Sequence, residues 1–292
     1  MNESFRPMTG LRVVSLALNL PGPLAAYRFA QAGGEVTKVE PPSGDPLTLA
    51  APEVYRQLHE GMKVIQADLK TAAGLNQLEE LLASADLFLT SSRLGALDRL
   101  GLSWEGLQSR HPSLSMVAIV GHRPPDENHP GHDLTYQAEH GLLNPPALPS
   151  SLFADLGGSL EAFAAGLGLL LARARGSVSP EQRRQIVSLE RSADFFAQPR
   201  QWGLTLPGGF LGGGLPQYNL YRCETGWVAL AALEPHFWIR LQSMLGLENP
   251  TQEQLQEVFG KQSADVWQVW ARQHDLPLVA VKGESTMKSS ST

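Results

Sequence analysis

Residues 11–40 read LRVVSLALNLPGPLAAYRFAQAGGEVTKVE and combine two strand patterns with a helix pattern between them. The apolar run at 11–17 predicts a strand, residues 23–31 predict a helix that stops at two glycines, and residues 35–40 predict a strand that stops at two prolines. A strand, a helix and a strand in this order form a βαβ unit, whose strands run parallel. The chain is therefore expected to contain an α/β domain.

The same alternation continues through the first half of the chain. Further strand patterns lie at 64–68, 86–90 and 114–120, and a helix pattern lies at 75–83. We predict a doubly wound, mostly parallel sheet, with ligands at the carboxyl ends of its strands. The first turn, residues 19–23, lacks the G-x-G-x-x-G spacing of a dinucleotide site, which argues against a nicotinamide enzyme.

From about residue 196 the composition changes, and glycines at 208, 209 and 212–214 indicate a turn-rich stretch. Two apolar segments, 218–223 and 227–233, then predict a hairpin, and helix patterns follow at 235–245 and 255–271. The expected organisation is a large domain at 1–195, a linker at 196–216, a smaller α+β domain at 217–283 and a disordered, low-complexity tail at 284–292.

Length and composition limit the function classes. The chain has 292 residues, 42% of them apolar, which is enough for a substantial core and two domains. A net charge of -6 argues against a nucleic-acid partner, and the single Cys223 cannot form an intrachain disulfide. The amino terminus does not resemble a signal peptide, and the longest apolar run, 160–172, is too short to cross a bilayer, so it predicts a buried helix. We expect a cytoplasmic protein without a membrane partner.

Three separated motifs supply one imidazole and two carboxylates. They are GHDLTY with His132, FADLGGS with Asp155 and ALEPHFW with Glu234. Such a set is suited to moving a carbon-bound proton. The alternative for both acids is a helix-capping role, because Asp155 precedes a helix expected to start near Ser159 and Glu234 precedes Pro235.

A metal site is the alternative for the histidine motif. His129, His132 and Asp133 are close in sequence, but no further cluster of cysteine and histidine completes the coordination shell that zinc requires. We therefore expect no metal.

Several segments in one order resemble the class III CoA-transferase superfamily, also called CaiB/BaiF-type. They are residues 10–14, the turn at 21–23, and residues 34–42, 67–70 and 97–102. The motifs around His132 and Glu234 are similar to those of its α-methylacyl-CoA racemase branch. The resemblance implies a Rossmann-like large domain, an acyl-CoA thioester substrate, an interlocked homodimer with sites between domains, and no cofactor beyond the CoA moiety.

The candidate CoA contacts form two groups. Lys38, Lys63 and Arg93 lie at or beside predicted strands, and an arginine can hold a phosphate through two hydrogen bonds. The alternative for each is a solvated surface charge. The resemblance adds Gly131, Asp133 and Tyr136, which surround His132, and Gly131 permits a close backbone approach.

The resemblance implies a racemase or epimerase that exchanges the α-proton of a 2-methylacyl-CoA. His132, supported by Glu234, and Asp155 would act on opposite faces of the carbon, while helix amides near Gly157 would stabilise the enolate. The second hypothesis is a CoA-transferase in which Asp155 is the nucleophile and forms an anhydride and then an aspartyl-CoA thioester.

The third hypothesis is a CoA-binding paralogue without turnover. The sequence differs from the usual family pattern at 91–95, 121–126 and 155–159. Members of the family normally continue beyond residue 281 and return to the large domain. Residues 284–292 are therefore expected to be a replaced or truncated end.

Overall fold

The computed structural model describes residues 5–282 and divides into two compact units, one up to Ala197 and one from Gln198. The predicted disordered tail at 284–292 lies outside the described residues. Residues 196–201 were expected to begin a linker, but they belong to a helix that ends at Gln201.

The first unit contains a six-stranded sheet. Its strands are β1 (Arg12–Ser15), β2 (Glu35–Glu40), β3 (Lys63–Gln66), β4 (Leu87–Thr90), β5 (Ser115–Val120) and β6 (Arg184–Ser188). The spatial order is β3-β2-β1-β4-β5-β6, and every neighbouring pair is parallel. The predicted α/β fold with a parallel sheet is confirmed. The order reverses between β1 and β4, where sheets of this type bind ligands.

Helices cover both faces of the sheet. They are α1 (Pro21–Gln31), α2 (Leu47–Ala50), α3 (Pro52–Leu58), α4 (Ala72–Leu82), α5 (Leu94–Arg99), α6 (Trp104–Arg110), α7 (Asp133–Glu139), α8 (Phe153–Ala174) and α9 (Leu189–Gln201). On one face, Phe29 of α1 and Leu169 of α8 pack with Val117 of the sheet. On the other face, Leu78 of α4 and Leu107 of α6 pack with Phe88. The sheet is therefore doubly wound, as predicted.

The long helix α8 differs from its prediction. It begins at Phe153, six residues before the expected start near Ser159. Among residues 5–282, α8 is the helix whose length and apolar composition would allow it to cross a membrane. Its inner side, with Ala162 and Leu169, is buried in the core of the first unit, while Leu160 and Leu171 are exposed.

The second unit contains the predicted hairpin. Strands β7 (Tyr218–Arg222) and β8 (Trp227–Ala231) are antiparallel, and β9 (Leu278–Ala280) pairs with the other edge of β8. Helix α10 spans Pro235–Leu245, but the helix expected at 255–271 is two helices, α11 (Gln252–Phe259) and α12 (Ala264–Gln273). Thr251 and Ser263 cap their amino ends through side-chain oxygens, which is why each helix starts independently.

Candidate active site

A cleft of about 300 Å³ lies at the carboxyl ends of β1, β4, β5 and β6. Five of the residues predicted for the site line this cleft: Arg93, Gly131, His132, Tyr136 and Asp155. The parallel sheet explains the location, because the segments that leave its strands at this edge converge on the point where the strand order reverses.

His132 stands immediately before α7 in extended backbone conformation. Its backbone N–H donates a hydrogen bond to Thr135 Oγ1 at 3.1 Å, and that hydroxyl donates to the His132 carbonyl at 2.8 Å. These two contacts fix the backbone of His132. The residue is exposed, and no described carboxylate of the first unit forms an ion pair with its imidazole. The ring can therefore meet a ligand.

Position 131 has no room for a side chain, because the ring of Tyr136 occupies the space next to Gly131. A Cβ on Gly131 would lie 2.5–2.7 Å from the ring and hydroxyl atoms of Tyr136. Burial, together with the charges of Asp155 and Glu139, raises the pKa of Tyr136 to about 12, so its phenol stays protonated. The buried ring thus supports the loop that carries His132.

Asp155 is the third residue of α8 and is partly buried. Its backbone N–H donates to Oδ1 of Asp133 at 3.1 Å. Burial, and then the charge of Asp133, raise the pKa of the Asp155 carboxyl to about 6. Both protonation states of Asp155 are therefore populated near neutral pH, which suits a group that gives and takes protons.

Asp133 was predicted as a CoA contact, but its side chain lies outside the cleft. Its side chain is buried, and its two oxygens accept from the Asp155 N–H and from Nε2 of Gln137. Gln137 Nε2 also donates to the Ser151 carbonyl at 2.9 Å. Asp133 therefore joins the start of α7 to the start of α8 and does not line the cleft.

Two of the predicted basic CoA contacts also lie away from the cleft. Lys63 is exposed at the amino end of β3, whereas the cleft is at the carboxyl ends of the strands. Lys38 lies inside β2, with only 1% of its side chain exposed. Its ammonium is paired with Glu40 and Asp45, so it cannot meet a CoA phosphate. Neither of these two predicted CoA contacts lines the cleft.

The capping and amide predictions at α8 are also corrected. Asp155 lies inside the first turn, and the residue at the capping position is Leu152. Gly157 is the fifth residue of the helix, where the backbone N–H bonds to the carbonyl four residues earlier. Its amide is therefore not free to stabilise an enolate.

Glu234 lies in the second unit, directly before α10. Its side chain is exposed and makes no capping hydrogen bond, so the capping alternative is not observed. Its pairing with His132 stays a prediction.

Sequence reasoning missed other residues that line the cleft: Asn19, Ser91, Glu127, His129 and Leu189. Asn19 and Ser91 follow predicted strands, so the carboxyl-end rule could have found them. Leu189 follows β6, which was not predicted. Glu127 has one buried carboxylate oxygen without a hydrogen-bond partner in the described part of the chain.

The side chains of Glu40, Asp45 and His59 form the group in residues 5–282 whose spacing could hold a metal ion. This group does not contain His129, His132 or Asp133. The Lys38 ammonium contacts all three of its members, so a cation already occupies their centre.

Comparisons with known proteins agree with the architecture. The profile of CoA-transferase family III matches residues 8–282. Cinnamoyl-CoA:phenyllactate CoA-transferase of Clostridium sporogenes is 28% identical over 276 residues, which cover 85% of this chain and 67% of that protein. Alpha-methylacyl-CoA racemase of Mus musculus is 29% identical over 259 residues, 83% of this chain and 65% of that protein. The chain thus spans about two thirds of the length of these curated relatives.

Solved structures share the fold. A crystal structure of a hypothetical protein from Mycobacterium tuberculosis has a TM-score of 0.83 at 23% identity, covering 98% of this chain and 87% of that chain. A CaiB/BaiF family protein from Brucella suis has a TM-score of 0.77 at 22% identity, covering 98% and 86%.

Proposed function

The chain belongs to CoA-transferase family III, and we propose that it is a racemase or epimerase that exchanges the α-proton of a 2-methylacyl-CoA thioester. One observation carries the proposal: His132 and Asp155 line the same cleft. The raised pKa of Asp155, about 6, supports it, because a general acid or base works best when its pKa is close to the working pH.

The proposed reaction moves one proton off a carbon and another one back. One residue removes the α-proton, and the C–H electron pair moves into an enolate whose charge lies on the thioester oxygen. The second residue delivers a proton to the opposite face, so the centre is inverted. His132, supported by Glu234, serves one face and Asp155 serves the other. These steps consume no metal or redox cofactor, and the CoA moiety of the substrate is the only cofactor we propose.

The amino end of α8 is our candidate for stabilising the enolate. The first residues of a helix have N–H groups without an intrahelical partner, and the helix dipole is positive there. Phe153 and Ala154 hold these positions next to Asp155. They replace Gly157 as the candidate donors.

Incubation of the protein with a single-epimer 2-methylacyl-CoA in deuterated water tests the proposal. We expect α-deuterium in the product and loss of stereochemical purity, measured by NMR and chiral chromatography. His132→Asn and Asp155→Asn should each lower the epimerisation rate by about 10³-fold or more. Lys63→Gln, which changes a charge at the other end of the sheet, is the matched control. Wild-type protein that neither exchanges nor epimerises would contradict the proposal.

A CoA-transferase is the second candidate, because several similar proteins carry that name and Asp155 places a carboxylate in the cleft. Here Asp155 would attack the thioester carbonyl, forming a mixed anhydride and releasing CoA thiolate. The thiolate would attack the Asp155 carbonyl and release the donor carboxylate, which leaves an aspartyl-CoA thioester. The acceptor carboxylate would attack that thioester to form a second anhydride, and the released thiolate would convert it to the new acyl-CoA and free Asp155. The test mixes an acyl-CoA donor with a carboxylate acceptor and examines the intact protein by mass spectrometry. A CoA adduct on wild-type protein that Asp155→Asn lacks would favour transfer over racemisation. Binding of CoA with neither activity would favour the paralogue without turnover.

We also propose that the protein forms a homodimer. Helices α8 and α9 border an apolar groove of about 420 Å³, and Leu160 and Phe195 are exposed there. Exposed apolar patches of this kind mark interaction surfaces. Sedimentation equilibrium should give the mass of two chains, and a monomer at micromolar concentration would contradict the assembly.

A further inference from the structure

Lys38 is a fully enclosed cation in the first unit. Its Nζ lies 2.5 Å from Oδ2 of Asp45, 3.0 Å from Oε1 of Glu40 and 2.8 Å from Nε2 of His59. An ammonium has three protons, so each of them has an acceptor. A buried charge is tolerated only when it is paired in this way.

His59 completes the set as a neutral acceptor. Its Nδ1 lies 2.6 Å from the Tyr55 carbonyl and must donate to it, which leaves Nε2 with a lone pair for Lys38. Burial and the nearby Lys38 charge lower the pKa of His59, against opposing contributions from Tyr55 and the two carboxylates. The ring therefore stays uncharged, and the ammonium is the cation of the cluster.

Asp45 extends this cluster toward the cleft. Its carboxylate is completely buried, and Oδ1 accepts from the Leu47 N–H at 2.9 Å and from the Asn19 N–H at 3.2 Å. Asn19 lies 26 residues earlier, in the turn between β1 and α1. One oxygen of Asp45 thus faces the ammonium and the other holds the backbone of this turn.

The turn contains an unfavourable backbone conformation that contacts from neighbouring residues must stabilise. Asn19 has φ +66°, a left-handed conformation that residues other than glycine seldom adopt. Its neighbour Leu18 donates its N–H to Oγ of Ser91 at 3.0 Å. The turn is therefore fixed from the β2 side by Asp45 and from the β4 side by Ser91. Asn19 and Ser91 both line the cleft.

We propose that Lys38 and Asp45 are positioning residues that hold the Asn19 turn as a rigid wall of the acyl-CoA cleft. The proposal rests on the proposed function for the identity of the ligand. Neither residue touches the substrate. Lys38 orients the Asp45 carboxylate through its hydrogen bond to Oδ2, and Asp45 fixes the Asn19 backbone. The fixed turn then presents a preformed surface to the CoA thioester.

The test compares Asp45→Asn with Asp86→Asn. Asp86 has the same chemistry at the other end of β1: Oδ2 accepts from the Arg12 N–H at 2.9 Å and Oδ1 accepts from Nη2 of Arg173 at 2.5 Å. Both changes remove one buried or half-buried carboxylate charge next to a cation and a backbone N–H. Only Asp45 is connected to the cleft wall.

Two measurements are made on the full chain. Hydrogen–deuterium exchange by mass spectrometry should show exchange at residues 18–20 accelerated about tenfold in Asp45→Asn and unchanged in Asp86→Asn. Calorimetric titration with coenzyme A should show affinity about tenfold weaker in Asp45→Asn and close to wild type in Asp86→Asn. If Asp45→Asn does not fold, Asp45→Glu replaces it, because it keeps a carboxylate beside Lys38 and moves that carboxylate by one methylene relative to the Asn19 N–H.

Each outcome has one meaning. Wild-type exchange at 18–20 in Asp45→Asn, or equal CoA affinities for the two aspartate variants, would overturn the positioning role. Wild-type exchange at 18–20 together with wild-type CoA affinity in Asp45→Glu would do the same. Wild-type protein that does not bind coenzyme A would contradict the proposed function instead, and the exchange measurement would still decide whether Asp45 fixes the turn.

Discussion

The backbone N–H of Asp155 donates to Oδ1 of Asp133 across 3.1 Å, although 22 residues separate the two in sequence. Asp133 directly follows His132, so this hydrogen bond ties the histidine segment to the start of α8. It also places a negative charge beside the Asp155 carboxyl. One contact therefore influences both the position and the protonation of the proposed acid–base pair.

The first prediction concerns the pKa of Asp155 in Asp133→Asn. Burial raises this pKa first, and the Asp133 charge adds to the effect. Removing the charge should lower the pKa of Asp155 below about 6, while burial should keep it above the ordinary value of 3.8. The acidic limb of the pH profile for α-proton exchange should move to lower pH. Asp98→Asn, at an exposed carboxylate on α5, should leave the profile unchanged; a profile that moves upward in Asp133→Asn would contradict the assignment.

The second prediction concerns stability as a function of pH. The pKa of Asp155 is higher in the folded protein than in the unfolded chain, so the folded state binds this proton more tightly and loses stability as pH rises from about 4 to about 6. The full shift corresponds to about 3 kcal/mol, and partial exposure of the side chain reduces the expected effect to about 1–2 kcal/mol. The Asp155→Asn variant has no carboxyl that titrates at this position, so it should not show this loss of stability.

Urea unfolding at pH 4 and pH 7.5 measures this effect. The free energy of unfolding of Asp155→Asn minus that of wild type should be about 1–2 kcal/mol more positive at pH 7.5 than at pH 4, because only wild type loses stability over this range. Asp98→Asn should show little change in this difference. A difference for Asp155→Asn that does not depend on pH would mean that its carboxyl is not perturbed.

Much of the first unit follows from its sequence because its strands are short apolar runs between breakers. The strand predicted at 35–40 has the observed bounds of β2, and the other four predicted strands are displaced by no more than two residues. Strand β6 was missed because it reads Arg-Gln-Ile-Val-Ser, with two polar residues at its start. Its pairing with β5 supplies what the local pattern lacks.

The errors at α8 and Lys38 have a tertiary origin. Gly157 and Gly158 suggest a break in a helix, but Leu189 and Phe196 pack so closely against them that a side chain at either position would collide. Packing thus extends the helix through both glycines. Lys38 reads as an exposed cation because its partners Asp45 and His59 are 7 and 21 residues away and no local pattern connects them.

The third prediction compares two glycines of α8. A Cβ on Gly166 would lie 2.6 Å from the Phe29 ring and 3.0 Å from Leu87, whereas a Cβ on Gly168 would meet no atom within 4 Å. Gly166→Ala should therefore destabilise the fold by about 1–3 kcal/mol through overpacking, and Gly168→Ala should stabilise it by about 0.5–1 kcal/mol through helix propensity. Chemical denaturation measures both. Equal effects would show that α8 does not pack on α1 as described.

The fourth prediction concerns recognition of CoA by Arg93. Of the three predicted basic contacts, Arg93 lines the cleft, Lys38 is enclosed and Lys63 is at the opposite end of the sheet. Arg93→Gln should weaken coenzyme A binding by about 1–3 kcal/mol, because a hydrogen bond to a charged group contributes that much. The loss should shrink at high salt, since an exposed charge is screened. Lys63→Gln also removes one positive charge, but at the opposite end of the sheet, so this variant should bind coenzyme A as tightly as wild type does. Calorimetric titration at two salt concentrations distinguishes them, and a Lys63→Gln loss as large as that of Arg93→Gln would mean that the cleft is not where CoA binds.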